Sequence, residues 1–301
     1  STSTMPIEFD ILIVGGSFAG LSAALQVARA RRRVAVVDAG WRRNRFAATS
    51  HGFLGQDGRP PGDIVTDARA QLLAYPTVQW IEGAATQARA LDDGFQVSVP
   101  GREPLQAKRI VLATGVVDEL PVVEGLAERW GRSVFHCPYC HGYELGSGRI
   151  GVLAAGPMSV HQAMLLPDWG ATTLIGIGDF LPDDAACEAL ARRGVVIERA
   201  PVRRVTGEAT VELADGRQLA FDGLFTLTRT RMASSLPEQL GCAFDEGPVG
   251  PFVRRNETFE TTVPGVFACG DAARPFGNVA VAVGDGAMVG AAAHRSLVFT
   301  S

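Results

Sequence analysis

Short apolar runs cut off by glycine or an acid punctuate both ends of the chain. Residues 11–14 (ILIV) form an unbroken apolar run ended by glycines, the pattern of a strand buried on both faces of a parallel sheet. Residues 21–30 are rich in Ala, Leu and Gln and favour helix. Residues 34–37 (VAVV) make a second apolar strand, closed by Asp38. Strand, tight turn, helix, strand and acid together form a dinucleotide-binding βαβ unit. Near the other end, residues 266–268 (VFA) form a short strand before Cys269-Gly270-Asp271, and a helix of small residues begins at about Asn278. Its N-terminus would offer free N–H groups and a positive dipole end to an electron-rich ring edge.

The first turn reads Gly15-Gly16-Ser17-Phe18-Ala19-Gly20, so Ser17 stands where the middle glycine of G-x-G-x-x-G lets backbone approach a pyrophosphate. A serine is tolerated there when its side chain points away. Asp38, 18 residues after Gly20, can accept hydrogen bonds from a ribose diol. An acid at that place disfavours a 2'-phosphate, which points to FAD or NAD rather than NADP.

Composition narrows the class. At 301 residues, with 47% hydrophobic and 20% charged positions, the chain can build one large domain or two smaller ones, each with its own core. A net charge of -4 gives no reason to expect nucleic acid or an anionic membrane as partner. No apolar run is long enough to span a bilayer. The N-terminus lacks the charged, apolar and small-residue succession of a secretory signal, so a cytoplasmic location is expected. Residues 1–4, ahead of Met5, read as an appended stretch.

Five cysteines with only one close pair make a poor disulfide framework. Cys187, Cys242 and Cys269 read as small buried apolar residues. The close pair lies in VFHCPYCHGYE, residues 134–144, and three chemistries are open to it. Cys137-Pro-Tyr-Cys140-His141 matches a haem-attachment pattern, could be half a zinc site, or could be a redox disulfide.

Four motifs in a fixed order resemble the low-molecular-weight thioredoxin reductases over nearly the whole chain. They are GGSFAG at 15–20, IVLATG at 110–115, CPYC at 137–140 and VPGVFACGDA at 263–272. The resemblance implies an α/β fold of two Rossmann-like, doubly wound domains. A discontinuous FAD-binding domain would take residues 1–116 and 237–301. An inserted NAD(P)-binding-like domain, residues 117–236, would carry the cysteine pair. By position, the resemblance places Gly15, Gly16, Ser17, Phe18 and Ala19 at the FAD pyrophosphate and Asp38 at the adenosine ribose. Thr114 and Gly115 join the FAD site through IVLATG. Gly270 and Asp271 would meet the ribityl chain or pyrophosphate, and Asn278 and Val279 the isoalloxazine. Arg43 and His51 fall near the flavin or its linker. A homodimer and no metal are expected on the same ground.

The inserted domain departs from that pattern. Where the family has a second glycine-rich turn for NADPH, this chain has Ala154, Ala155, Gly156 and Pro157, with Ser159 at the third small position. Proline there removes an amide donor. Where cationic side chains would hold a 2'-phosphate, the sequence reads Gly176-Ile177-Gly178-Asp179, which offers no charge-assisted bond to phosphate. Loss of such a clamp costs about 1.5–3 kcal/mol per charged hydrogen bond.

With the family in view, the cysteine pair reads as a redox disulfide. Haem attachment belongs to export compartments, and zinc lacks a second ligand pair. Histidine suits proton transfer near neutral pH. The thioredoxin reductases carry an aspartate acid/base after the second cysteine; here that residue is His141. His141, Gly142, Tyr143 and Glu144 resemble the FAD-dependent dithiol oxidases that close disulfides in natural products such as gliotoxin, holomycin and romidepsin. The resemblance then implies a small dithiol as reductant, Cys137 facing substrate, Cys140 facing flavin, His141 as base and dioxygen as acceptor, reduced to hydrogen peroxide. An NAD(P)H-dependent disulfide reductase and a non-catalytic flavin sensor are the alternatives. His136 is either a second base or a core residue beside Phe135, while His161 and His294 read as structural.

Overall fold

The structure, a computed structural model, describes residues 7–299; the residues ahead of Met5 lie outside that range. The chain divides into two compact units. The first comprises the chain up to Arg45, Gly62–Val117 and the chain from Thr230 onward; the second comprises Phe46–Pro61 and Asp118–Arg229. The junctions therefore fall at 117/118 and 229/230 rather than at 116/117 and 236/237. Phe46–Pro61, assigned from sequence to the FAD-binding part, groups with the second unit. It has no hydrophobic period of its own, so contacts decide its place. His51 pairs with Glu144, and Gly131, at φ +80°, leaves room for the backbone of Phe46.

In the first unit, Val78–Glu82, Val34–Asp38, Phe9–Val14 and Leu105–Leu112 lie side by side in parallel, and Val266–Ala268 pairs with Leu105–Leu112. Gly94–Ser98 and Gln87–Leu91 extend the sheet antiparallel. The first strand is apolar throughout because both faces are covered. Ile11 and Ile13 enter one core, and Leu12 and Val14 the other. Helices Phe18–Arg29 and Val279–Val298 cover the first of these faces. They approach closely because Gly286 and Gly290 lie against the backbone of Ala19 and Ala23, where a Cβ would collide. The Ser22 hydroxyl bridges the pair, donating to the Val283 carbonyl at 2.6 Å. The other face is covered by antiparallel strands and by Leu236 and Val253, not by a second helix layer.

The second unit repeats the plan. Val196–Glu198, Ala171–Gly176, Arg149–Ala154, Gly223–Thr226 and Val134–Phe135 form a parallel sheet in that order. Helices Met158–Leu165 and Asp184–Arg192 contribute to one core, with Val160, Ala163 and Leu190. The antiparallel strands Val202–Thr206, Thr210–Leu213 and Gln218–Ala220 close the other. Among the described residues, no helix is long and apolar enough to cross a membrane.

Candidate active site

The glycine turn of the first unit is set by backbone geometry. Gly15 takes φ +107°, and a Cβ on it would strike the Ala113 carbonyl at the end of the neighbouring strand. A Cβ on Gly20 would strike the Gly15 carbonyl, so this glycine lets the helix begin directly under the turn. Ser17 occupies the helix N-cap in an extended conformation without a side-chain capping bond, and no acid lies in the first turn. Phe18 and Ala19 begin the helix. Its first amides are therefore available to an anion. Asp38, at the end of the next strand, accepts the Gly16 N–H at 3.2 Å. The Trp80 ring packs against that turn.

The second strand–turn–helix completes the crevice. Gly270, at φ +73°, donates its N–H to Asp285 at 2.8 Å, and the adjoining Asp271 pairs with Arg43 at 3.1 Å. Asn278 caps the long helix that begins at Val279, its side-chain oxygen accepting the Val281 N–H at 2.8 Å. Gly115 takes φ +72°, and the Thr114 hydroxyl beside it is buried without a hydrogen-bond partner. A buried unpaired hydroxyl is costly unless a ligand completes it. Uncapped helix amides, a ribose-ready acid and an orphaned hydroxyl at the carboxyl ends of adjacent parallel strands fit FAD.

Sequence reasoning missed the pair that fixes this second turn. Arg255 grips Asp285 through two bonds, at 2.8 and 2.9 Å, and also donates to the Ala268 carbonyl at 3.0 Å. Asp285 is 6% exposed. A lone acid inside VAVAVGDGAMVG was the available signal; its partner lies 30 residues upstream.

In the second unit, Cys137 and Cys140 are joined as a disulfide with Cα atoms 5.3 Å apart. Pro138–His141 is a single helical turn with Cys137 at its N-cap, and the Cys140 N–H donates to Cys137 Sγ at 3.2 Å. Gly142 is required after it, since a Cβ would collide with Trp169 and the Pro138 carbonyl. Trp169 in turn meets Tyr139 edge-on at 5.2 Å. Tyr139, within the redox turn, and Tyr143, just after it, are 71% and 83% exposed.

His141 stacks on Phe135 at 4.2 Å between ring centroids. Burial, then the nearby His136 and His51, lower its pKa to about 4, well below the near-neutral value expected from sequence. The ring is neutral at physiological pH. His136 stacks instead on Trp130, at 5.8 Å, and its carbonyl accepts from Gln162 at 2.7 Å. His51, placed by sequence near the flavin, has its ring nitrogens directed at Asp57 (3.1 Å) and Glu144 (3.3 Å) of the second unit. His161 is exposed on its helix and His294 half-buried.

The other cysteines do not join the pair. Cys242 and Cys269 are buried, and burial pushes both thiols up in pKa. Cys187 is only half-buried, contrary to expectation, because it sits on a helix with a single buried residue, Leu190. Among the described residues, no three or more His, Cys, Asp or Glu side chains group as metal ligands. The second nucleotide turn is as sparse as its sequence. Pro157, which has no N–H to donate, precedes helix Met158–Leu165, and Ile177, Gly178, Asp179 and Phe180 follow strand Ala171–Gly176 with no cation among them.

Comparison with known proteins gives concordant matches. The sequence model of the family described as pyridine nucleotide-disulphide oxidoreductase matches residues 9–286. Thioredoxin reductase sirT of Leptosphaeria maculans is 32% identical over 312 aligned positions, spanning 96% of this chain and 94% of that protein. The crystal structure of an oxidoreductase from Agrobacterium tumefaciens is 54% identical with a TM-score of 0.95, covering 98% of this chain and 100% of that one. The crystal structure of HlmI is 36% identical with a TM-score of 0.88, over 96% of this chain and 92% of that one.

Proposed function

The chain belongs to the pyridine nucleotide-disulphide oxidoreductase family, and on that premise we propose that it is a FAD-dependent dithiol oxidase. It closes an intramolecular disulfide in a small-molecule, natural-product-type dithiol and delivers the electrons to dioxygen, giving hydrogen peroxide. The observation that carries this direction is the second nucleotide turn. With Pro157 at the turn, Gly156 alone of its three glycines and no cation in Gly176-Ile177-Gly178-Asp179, it lacks the groups that hold NADPH, which favours the dithiol as the reductant. A cytoplasmic homodimer accompanies the reading.

FAD would be held by the Gly15–Gly20 turn, Asp38, Thr114, Asp271 and the helix capped by Asn278; bound there, it supplies the two-electron acceptor that regenerates the disulfide and passes the pair to dioxygen. A substrate thiolate attacks Cys137 Sγ, the Cys137–Cys140 bond breaks, and its electron pair leaves on Cys140 as thiolate. The second substrate thiolate attacks the substrate sulfur of this mixed disulfide and expels Cys137 as thiolate, closing the product ring. The Cys140 N–H already directed at Cys137 Sγ stabilises that leaving group. His141, neutral in its pocket, accepts the proton of the attacking substrate thiol, and the proton of the second thiol passes to solvent. Tyr139 and Tyr143 provide apolar surface for the substrate.

The names of the relatives favour a second reading, an NAD(P)H-dependent disulfide reductase. Steady-state turnover separates the two. Aerobic protein supplied with a small dithiol should consume oxygen and release one peroxide per disulfide formed. Sustained NADPH oxidation with thioredoxin or a small disulfide, and none with dithiols, would establish the reductase instead.

A further inference from the structure

His51 is more than a member of a surface ion pair. It lies in a closed loop. Ser50 N–H donates to the Arg59 carbonyl and Gly58 N–H to the Ser50 carbonyl, each at 2.8 Å. Inside that loop one oxygen of Asp57 accepts both the Gly52 N–H, at 2.9 Å, and a contact from His51 Nδ1, at 3.1 Å. The Gly52 amide and then His51 hold the Asp57 carboxyl below the usual carboxylate range. An ionised Asp57 only accepts, so Nδ1 carries a proton and the ring is fixed with Nε2 outward. Nε2 reaches Glu144 at 3.3 Å and the Thr49 hydroxyl at 3.3 Å.

Glu144 belongs to the redox motif itself. It lies in the turn Tyr143–Leu145, immediately after the helix that carries Cys140 and His141. The Leu145 N–H donates back to the Gly142 carbonyl at 3.2 Å, so a pull on Glu144 is transmitted to the glycine beside His141. The His51 side chain is 20% exposed and that of Glu144 43%, against 69% for Asp57. Water screens the pair with Glu144 less than it would a rim contact. The groups facing His51 are Asp57 and Thr49 from its own loop and Glu144 from the motif, with His141 near enough to be influenced by its charge.

We propose that His51, oriented by Asp57 and bonded to Glu144, is a positioning residue for thiol–disulfide exchange at Cys137–Cys140. It ties the loop Phe46–Pro61 to the turn after the redox helix and so fixes the place and electrostatic surroundings of His141. This rests on the reading that the Cys137–Cys140 disulfide exchanges with thiols, and not on which acceptor takes the electrons.

The test follows reduction of the disulfide by dithiothreitol in flavin-loaded, full-length protein, trapped by alkylation and read by mass. His51→Ala and Glu144→Ala should each slow reduction about tenfold, and the double variant should be no slower than either alone, as two ends of one contact. Glu144→Gln, whose carboxamide can hydrogen-bond Nε2 by donating its N–H to it, should keep most of the parent rate. The His141 ring resonance, followed by NMR, should titrate at higher pH in His51→Ala than in the parent. Single-variant rates within twofold of the parent, losses that multiply in the double variant, no rescue by Glu144→Gln, or an unmoved His141 titration would each overturn the proposal. A parent disulfide that dithiothreitol does not reduce would instead overturn the functional reading beneath it.

Discussion

Keeping His141 neutral inside its pocket makes the second unit acid-sensitive, by an amount the structure sets. In the unfolded chain the ring titrates near 6.5; in the fold burial and two neighbouring histidines lower it to about 4. The folded state therefore resists the proton that the unfolded state accepts. Stability from this residue is fully present above 6.5 and is lost as pH falls toward 4. Two and a half units at 1.36 kcal/mol each make about 3 kcal/mol in the acid limit, of which about 2 kcal/mol is gone between pH 7 and pH 5. His141→Gln removes the titrating group and with it this part of the pH dependence. The assay is hydrogen exchange by mass spectrometry on the flavin-loaded protein, read in strands Arg149–Ala154 and Gly223–Thr226 of the second unit. After correction for intrinsic exchange rates, the parent should lose about 2 kcal/mol of opening free energy relative to the variant between pH 7 and 5. Parallel behaviour of the two proteins, within about 0.5 kcal/mol, would show that the ring is not held neutral by its surroundings and would refute the reasoning.

Other expectations bear on the cofactor crevice and the sulfurs. Asp285→Ala breaks a buried ion pair and strips the acceptor from Gly270, which should cost about 3–5 kcal/mol. It should release flavin on gel filtration and lower the melting temperature, with Asp285→Asn milder because an acceptor remains. Thr114→Val replaces an orphaned hydroxyl by a methyl group, so the flavin-free protein should be more stable by about 1 kcal/mol while flavin affinity falls about tenfold. Equilibrium unfolding of the apoprotein and flavin titration check the two halves separately. Cys137→Ser and Cys140→Ser should each abolish dithiol consumption while retaining flavin, because the cofactor residues lie in the other unit; residual turnover in either would remove the disulfide from the reaction.

The parts that announce themselves in sequence are those where local and tertiary demands coincide. The run at 11–14 had to be apolar on both faces, and Gly15 had to take a left-handed φ beside Ala113, so strand and turn were readable together. The small-residue helix was readable for a related reason, although the cause, contact with Ala19 and Ala23, became visible only in the fold. The β layers on the second face of each sheet were not, since strands as short as Gln218–Ala220 carry too little alternation to register. Arg255 and Asp285 stayed hidden because pairing across 30 residues leaves no periodic trace. His51 was read by its place in the chain, yet the loop that carries it is positioned by Asp57 and Glu144 rather than by any propensity. The motif around Cys137 showed which residues carry the chemistry; that His141 is stacked on Phe135 and weakly basic depended on three-dimensional burial.

The central claim is the direction of electron flow, and anaerobic mixing of the oxidised, flavin-loaded protein with single reductants tests it most directly. Excess small dithiol should bleach the flavin absorbance in the parent and fail to do so in Cys140→Ser, while equal NADPH or NADH leaves the spectrum unchanged over the same interval. Rapid bleaching by NADPH, with dithiols inert, would contradict the account.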